Sequence, residues 1–173
     1  MKMNKKILTA FFLVSVSLLS LCLFGGCGRT FGIKDKIADK RMKQIIAAIT
    51  SKDEDSLKAM FSSKAISEAD DIDEKINHLF EFFQGKVKTN ERKGLSFYDS
   101  VESRKVMKKE YYSWYRVNTE KYNYFFIIIE FPVDILYPDN VGIYTLMVIK
   151  SDEESIEFSW EEIEKAGVYM LEE

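Results

Sequence analysis

The chain has 173 residues and a formal net charge of −3. Both of its cysteines, Cys22 and Cys27, lie near the N-terminus, so the rest of the chain can form neither an internal disulfide nor a cysteine metal site. Its acidic balance makes it a poor nucleic-acid binder with nothing to gain from anionic headgroups, which leaves solubility as the plain reading of the charge.

In chain order, the first feature is a leader. Met1-Lys2-Met3-Asn4-Lys5-Lys6 is basic, and Ile7 to Phe24 is apolar apart from Thr9 and three serines. A basic stretch before an apolar run is the signal-peptide pattern, and the basic end stays on the cytoplasmic side. Leu23-Phe24-Gly25-Gly26-Cys27 resembles the lipobox of bacterial lipoproteins, although Phe24 stands where Leu is usual. That resemblance implies cleavage after Gly26, a signal peptide over residues 1–26, and a lipidated Cys27 as the new N-terminus. The lipid bilayer would then be a partner through the Cys27 acyl chains, on the outer face of the cell membrane. Two alternatives stand beside it: an uncleaved anchor, since about 18 apolar residues just span a bilayer, and simple secretion. Cleavage removes Lys2, Lys5 and Lys6, leaving 22 basic and 28 acidic residues over 147, a net charge of −6.

Residues 27–32 read as a short tether and 33–173 as one α+β domain. Ile33, Ile37, Ile45, Ile46 and Ile49 return to one helical face. Ser51 with Glu54 fits a capping box for a short helix burying Leu57, Met60 and Phe61. A third helix is predicted from about Ser67 to Gln84. Acids crowd its first turns, Ile72, Ile76, Leu79, Phe80 and Phe83 form its apolar stripe, and Gly85 closes it.

After Gly85 the period changes to 2. Leu95–Val101, Glu110–Asn118, Tyr122–Phe131 and Ile143–Ile149 read as strands, with a turn at Pro138-Asp139-Asn140. A helical turn around Trp160–Lys165 then precedes Gly167-Val168-Tyr169-Met170-Leu171. Helices followed by neighbouring strands argue for N-terminal helices packed on an antiparallel sheet. With Glu120-Lys121 as the turn, Val117 opposes Tyr124, Tyr115 opposes Phe126, Ser113 opposes Ile128 and Tyr111 opposes Glu130. The other face then carries Arg116, Trp114 and Tyr112 against Phe125, Ile127 and Ile129. Both faces are apolar, so the face away from the helices needs cover from the C-terminal segment, a partner subunit or a ligand. A loop longer by one residue would exchange the faces.

Asp53–Ser62 (D-E-D-S-L-K-A-M-F-S), Phe83-Gln84-Gly85-Lys86, Tyr122, Gly142-Ile143 and Gly167-Val168-Tyr169 together resemble a family of Gram-positive lipoproteins built on a domain of unknown function. The resemblance spans most of Ile33–Tyr169. It implies a nuclear-transport-factor-like, or cystatin-like, fold, in which helices and a curved antiparallel sheet make a cone, and a cell-surface address. It implies no activity.

The chemistry-bearing residues are few. His78, the one histidine, sits beside an apolar helical stripe; a helix-surface or boundary residue is the simpler reading than a general base. Glu130 follows three isoleucines, and burial would raise its pKa; a strand-end glutamate reaching solvent or pairing with Arg or Lys is the plainer alternative. Tyr111, Tyr112, Trp114, Tyr115, Tyr124 and Tyr144 combine apolar area with a polar tip, and serve equally as core or as binding surface. Asp70-Asp71-Ile72-Asp73-Glu74 lacks the glycine and ligand spacing of a calcium loop, and Asp152-Glu153-Glu154 reads as a solvated turn. No phosphate loop or nucleophile elbow occurs, so no catalytic residues, metal ligands or cofactors are assigned.

Three functions follow as expectations. The first is a membrane-anchored, non-catalytic binding module whose ligand or partner surface draws on Tyr111, Trp114, Tyr115, Tyr124 and Glu130, with a homodimer or another protein as partner. The second is a small isomerase or hydrolase using an acid inside the cone. The third is a structural or immunity-type surface protein.

Overall fold

A computed structural model describes residues 28–153, 156, 158 and 163–172. The leader, Cys27, Glu154 and Trp160 lie outside the described residues. The chain divides into two units, up to Ile37 and from Ala38 onward. Helix α1 (Gly28–Ser51) begins in the first and already runs through residues 28–32, where composition suggests a tether. The second unit holds the remainder of α1, the other helices and the whole sheet.

Three short helices follow α1: α2 (Glu54–Lys58), α3 (Ser63–Glu68) and α4 (Ile72–Phe82). Each begins on a side-chain cap that satisfies one of the orphan N–H groups of a helix start. Asp53 accepts from Ser56 N at 2.9 Å, Ser62 from Ala65 N at 3.0 Å and Asp71 from Glu74 N at 3.2 Å. The α2 cap is therefore Asp53 rather than Ser51, whose hydroxyl instead donates to Ala47 O at 2.8 Å at the end of α1. The expected helix over residues 67–84 is two helices. Asp71 takes a left-handed conformation (φ 45°) between them, which no continuous helix tolerates. The predicted stripe stands: Ile72, Ile76, Leu79, Phe80 and Phe83 are buried.

The sheet runs β1 (Val87–Glu102), β2 (Lys105–Thr119), β3 (Asn123–Asp134), β4 (Gly142–Lys150) and β5 (Gly167–Glu172), hydrogen-bonded in that order. β1–β4 pair antiparallel, while β5 pairs parallel to β4, a difference from the all-antiparallel expectation. Residues 151–166 are long enough for the crossover a parallel neighbour requires. β1 starts eight residues before its predicted bound, because its polar N-terminal half is held by pairing with β2 rather than by burial. Bulges interrupt every antiparallel pair, and bulges bend a sheet.

The β2–β3 register matches the prediction residue for residue, from Tyr111 opposite Glu130 to Val117 opposite Tyr124. One reason lies at the turn. Thr119 Oγ1 is 2.7 Å from Gln84 O and accepts from Tyr122 N at 3.0 Å, so the turn is fastened to the end of the helical segment. Gly85 (φ +89°) sits against it, where a Cβ would lie 2.9 Å from Lys121 N. The register sorts the faces. Tyr115, Val117, Tyr124, Phe126, Ile128, Leu146 and Val148 pack with the helices in the main core. On the opposite face, Phe125, Ile127, Met147 and Ile149 are covered by Ile156, Phe158 and Ile163, so the C-terminal segment supplies the cover.

Candidate functional site

Burial decides what the singled-out side chains can do. Tyr111, Tyr115 and Tyr124 are buried. Tyr124 Oη accepts from Gln84 N at 2.9 Å and donates to Phe82 O at 3.0 Å, closing α4 onto the sheet. Tyr115 Oη donates to Asp39 at 3.2 Å, and Asp39 also receives Arg92 at 2.8 Å. Burial, and then the Asp39 charge, pushes the Tyr115 phenol above its usual range. These two phenols therefore clip helices to strands. Tyr112, half-buried on the other face, donates to Glu110 at 2.5 Å. Tyr144 donates to Glu68 at 2.9 Å; burial and then that bond raise its pKa to about 12.

Glu130 is 2% exposed and pairs with Arg41 Nε of α1 at 2.7 Å. The pairing alternative of the sequence reading is realised, but in the interior. Burial holds the Glu130 pKa above the usual carboxylate range, against the opposing pull of Arg41. Its second oxygen, Oε1, has no hydrogen-bond partner among the described residues, nor has the hydroxyl of Tyr111 directly across the strands. Burial, then the charges of Asp99 and Glu130, keeps that phenol protonated. His78 is 56% exposed on α4, 3.8 Å from Glu74. Among the described residues no cluster of three metal-ligating side chains forms, and no helix is long and apolar enough to cross a membrane.

Of the five residues proposed as a ligand or partner surface, Trp114 lines an open groove, and Tyr115 borders a smaller hollow of about 280 Å³ with Asp39, Lys43, Asn90 and Arg92. That groove, about 650 Å³, lies on the sheet face away from the helices. Trp114, Phe125 and Ile156 supply its apolar part, and Glu91, Lys93, Arg116, Asn118, Asn123 and Asp152 its polar part. Alternation puts Trp114, Arg116 and Asn118 of β2 on one face, with Asn123 and Phe125 of β3 beside them. The charges compensate locally. Lys93 binds Glu91 at 2.8 Å, and Asn123 donates to Asp152 at 3.1 Å. Arg116 donates to Asn118 at 3.3 Å and to Glu153 O, with its guanidinium 5.8 Å from the centre of the Phe125 ring. The Trp114 indole lies over Gly94, its partner on β1, where any Cβ would overlap the ring. Sequence reasoning singled out Trp114 but not Arg116, Asn118 or Asn123. Their signal was the two-residue spacing, which gains meaning only once the register is fixed.

A further hollow, about 540 Å³, lies between Tyr98, Ser100 and Lys108 of the sheet, Lys64 and Glu68 of α3, and Leu136–Asn140.

Residues 44–151 match the family described as a domain of unknown function (DUF5104). The match covers well over half of the chain, which belongs to this family. It runs from within α1 to the end of β4, leaving β5 and the covering segment beyond it. No curated protein matches the chain.

Proposed function

We propose that this DUF5104 member is a membrane-held, non-catalytic binding module that takes a polar ligand in the groove beside Trp114. The observation that carries the reading is the groove itself. It is a hollow of the size of ordinary ligand sites, with an aromatic floor and polar groups already fixed by hydrogen bonds. Prior fixing lowers the ordering cost of binding. The leader and the lipobox-like Gly26-Cys27 support an extracytoplasmic address with Cys27 as the acylated residue. Two acyl chains hold a protein on a bilayer where one does not. Helices followed by an open, mostly antiparallel sheet support the cystatin-like reading of the fold.

Two measurements test this. Labelled palmitate should enter the protein, and Cys27→Ala should release it from the membrane fraction; unchanged fractionation without label would end the anchoring claim. A photo-reactive residue replacing Lys93 on the groove should cross-link a discrete species in producing cells, while the same residue replacing Glu81 on α4 should not. Equal adducts at both positions, or none at either, would remove the groove.

One observation favours a second reading, a small isomerase or hydrolase. Glu130 Oε1 and Tyr111 Oη are buried, belong to residues paired across β2 and β3, and have no hydrogen-bond partner among the described residues. A carboxyl whose pKa is raised by burial has the character of a general acid. Under this reading Glu130→Gln abolishes turnover while leaving groove cross-linking intact.

A further inference from the structure

Eight large apolar side chains are exposed among the described residues, and six of them gather at one end of the sheet. Tyr98 and Val101 come from the end of β1; Ile135, Leu136, Tyr137 and Val141 come from the β3–β4 connection. The register brings these stretches together. Ser100 pairs with Lys108, Lys108 pairs with Asp134, and Ile135 N donates to Met107 O at 2.8 Å. Leu136, Tyr137 and Tyr98 are 67%, 63% and 60% exposed. Single exposed apolar residues are ordinary, whereas a cluster marks a contact surface. Nor is the connection slack: Asp134 accepts from Tyr137 N at 2.9 Å and from Asn140 Nδ2 at 2.8 Å, so the apolar side chains are held outward by a bonded loop.

We propose that this end of the sheet rests in the interfacial layer of a lipid bilayer. The proposal depends on the membrane location argued above. The occupant follows from the chain that precedes the described residues. Three residues separate the apolar run Ile7–Phe24 from Gly28, where α1 begins, so the chain enters α1 from a bilayer whether acylated Cys27 or a retained apolar run does the holding. The chemistry of the patch agrees. Leucine, isoleucine and valine supply apolar area, and tyrosine suits the boundary between headgroup and acyl chain. Lys64 and Lys108 lie with their ammonium groups 5.9 and 4.7 Å from the centres of the Tyr144 and Phe131 rings, stems along apolar surface and heads able to reach headgroup level. Exposed Arg104 and Lys105 at the β1–β2 turn add to these cations, and Glu68, Glu102, Glu110 (3.1 Å from Lys108), Asp134 and Asp139 at the same end balance them. The attraction is therefore apolar, and zwitterionic and anionic lipid should serve equally. Along β2, Lys108 and Arg116 are about 27 Å apart at roughly 3.4 Å per residue. With the Lys108 end in the interface, the groove at Arg116 faces away from the bilayer, towards whatever approaches from outside.

The test uses the full chain carrying Cys22→Ser, reconstituted in phosphatidylcholine vesicles, with a nitroxide attached at Leu136→Cys. Leu171→Cys serves as the control, and the chain without an added cysteine reports any label on Cys27. At position 136 collisions with lipid-dissolved oxygen should rise several-fold on reconstitution, and collisions with an aqueous nickel chelate should fall; position 171 should stay aqueous. Adding phosphatidylglycerol should change neither. Protein that floats with the vesicles while position 136 stays as aqueous as 171 overturns the proposal and leaves the membrane location intact. A label at 136 that loses nickel-chelate collisions without gaining oxygen collisions points to a protein partner or a second copy and also overturns it. Protein that never floats with vesicles removes the membrane location on which the proposal stands.

Discussion

Glu130 shows how one position draws several physical terms together. Its neighbours in sequence are apolar, so the chain buries it; once buried, the ionised form needs a partner, and Arg41 supplies one on a single oxygen. Because burial raises the pKa of the folded carboxyl above its ordinary 4.5, the folded state binds more protons than the unfolded one just above that value. This group's contribution to stability is greatest below about pH 4.5 and falls as pH rises through the raised value. Glu130→Gln, which keeps the shape and removes the titration, should therefore lose that part of the pH dependence. Thermal melts from pH 4.5 to 7 should show the wild type losing ground to the variant. A gap that does not change with pH would contradict the burial argument. Removing the cation instead, as in Arg41→Ala, should cost up to about 3 kcal/mol, because it strands a buried carboxylate.

Among the elements, the β1–β2 pair depends on a glycine for a steric reason. The Trp114 ring occupies the space a Cβ would need at Gly94, directly across the pair and beside a bulge. Gly94→Ala should push the indole out of place at a cost of about 1–3 kcal/mol, the range for overpacking. The change is readable as a lower melting temperature together with a red shift in tryptophan emission. A melt and spectrum like the wild type's would mean that Trp114 can repack freely. The helical segment is governed by caps in the same local way. Ser62 caps α3 with its side chain while its N–H donates to Ile143 O at 2.9 Å, tying the helices to the start of β4. The capping-box pattern at Ser51 was a competing signal with the same spacing, and Asp53 prevailed because α1 continues to Ser51 and its C-terminal turn takes up that hydroxyl.

At the scale of the whole molecule, the sheet is apolar on both faces and each face needs a cover. The helices bury one, and Ile156, Phe158 and Ile163 bury the other. A chain ending at Ser151 should uncover Phe125, Ile127, Met147 and Ile149 and lose β5. Full burial of such side chains contributes about 1.5–3 kcal/mol each, a total comparable with the entire stability of a small domain, about 5–15 kcal/mol. Such a chain is expected to lose its near-ultraviolet circular dichroism and to bind hydrophobic dye. A cooperative melt with native dichroism would show that the segment is dispensable.

How much of this was readable beforehand depends on the range of each interaction. Alternation and a two-residue turn fixed the β2–β3 register, and helical spacing fixed the stripe of α4, because both are local patterns repeated many times along the chain. The α+β class came from the order of those patterns. Only the tertiary structure could say that β5 runs parallel to β4, that Tyr111, Tyr115, Tyr124 and Glu130 are interior, and that Arg41 answers Glu130 from 89 residues away. The groove at Trp114 belongs with these. Its lining comes from three strands and the segment after β4, brought together by pairing and packing over distances that no local pattern records.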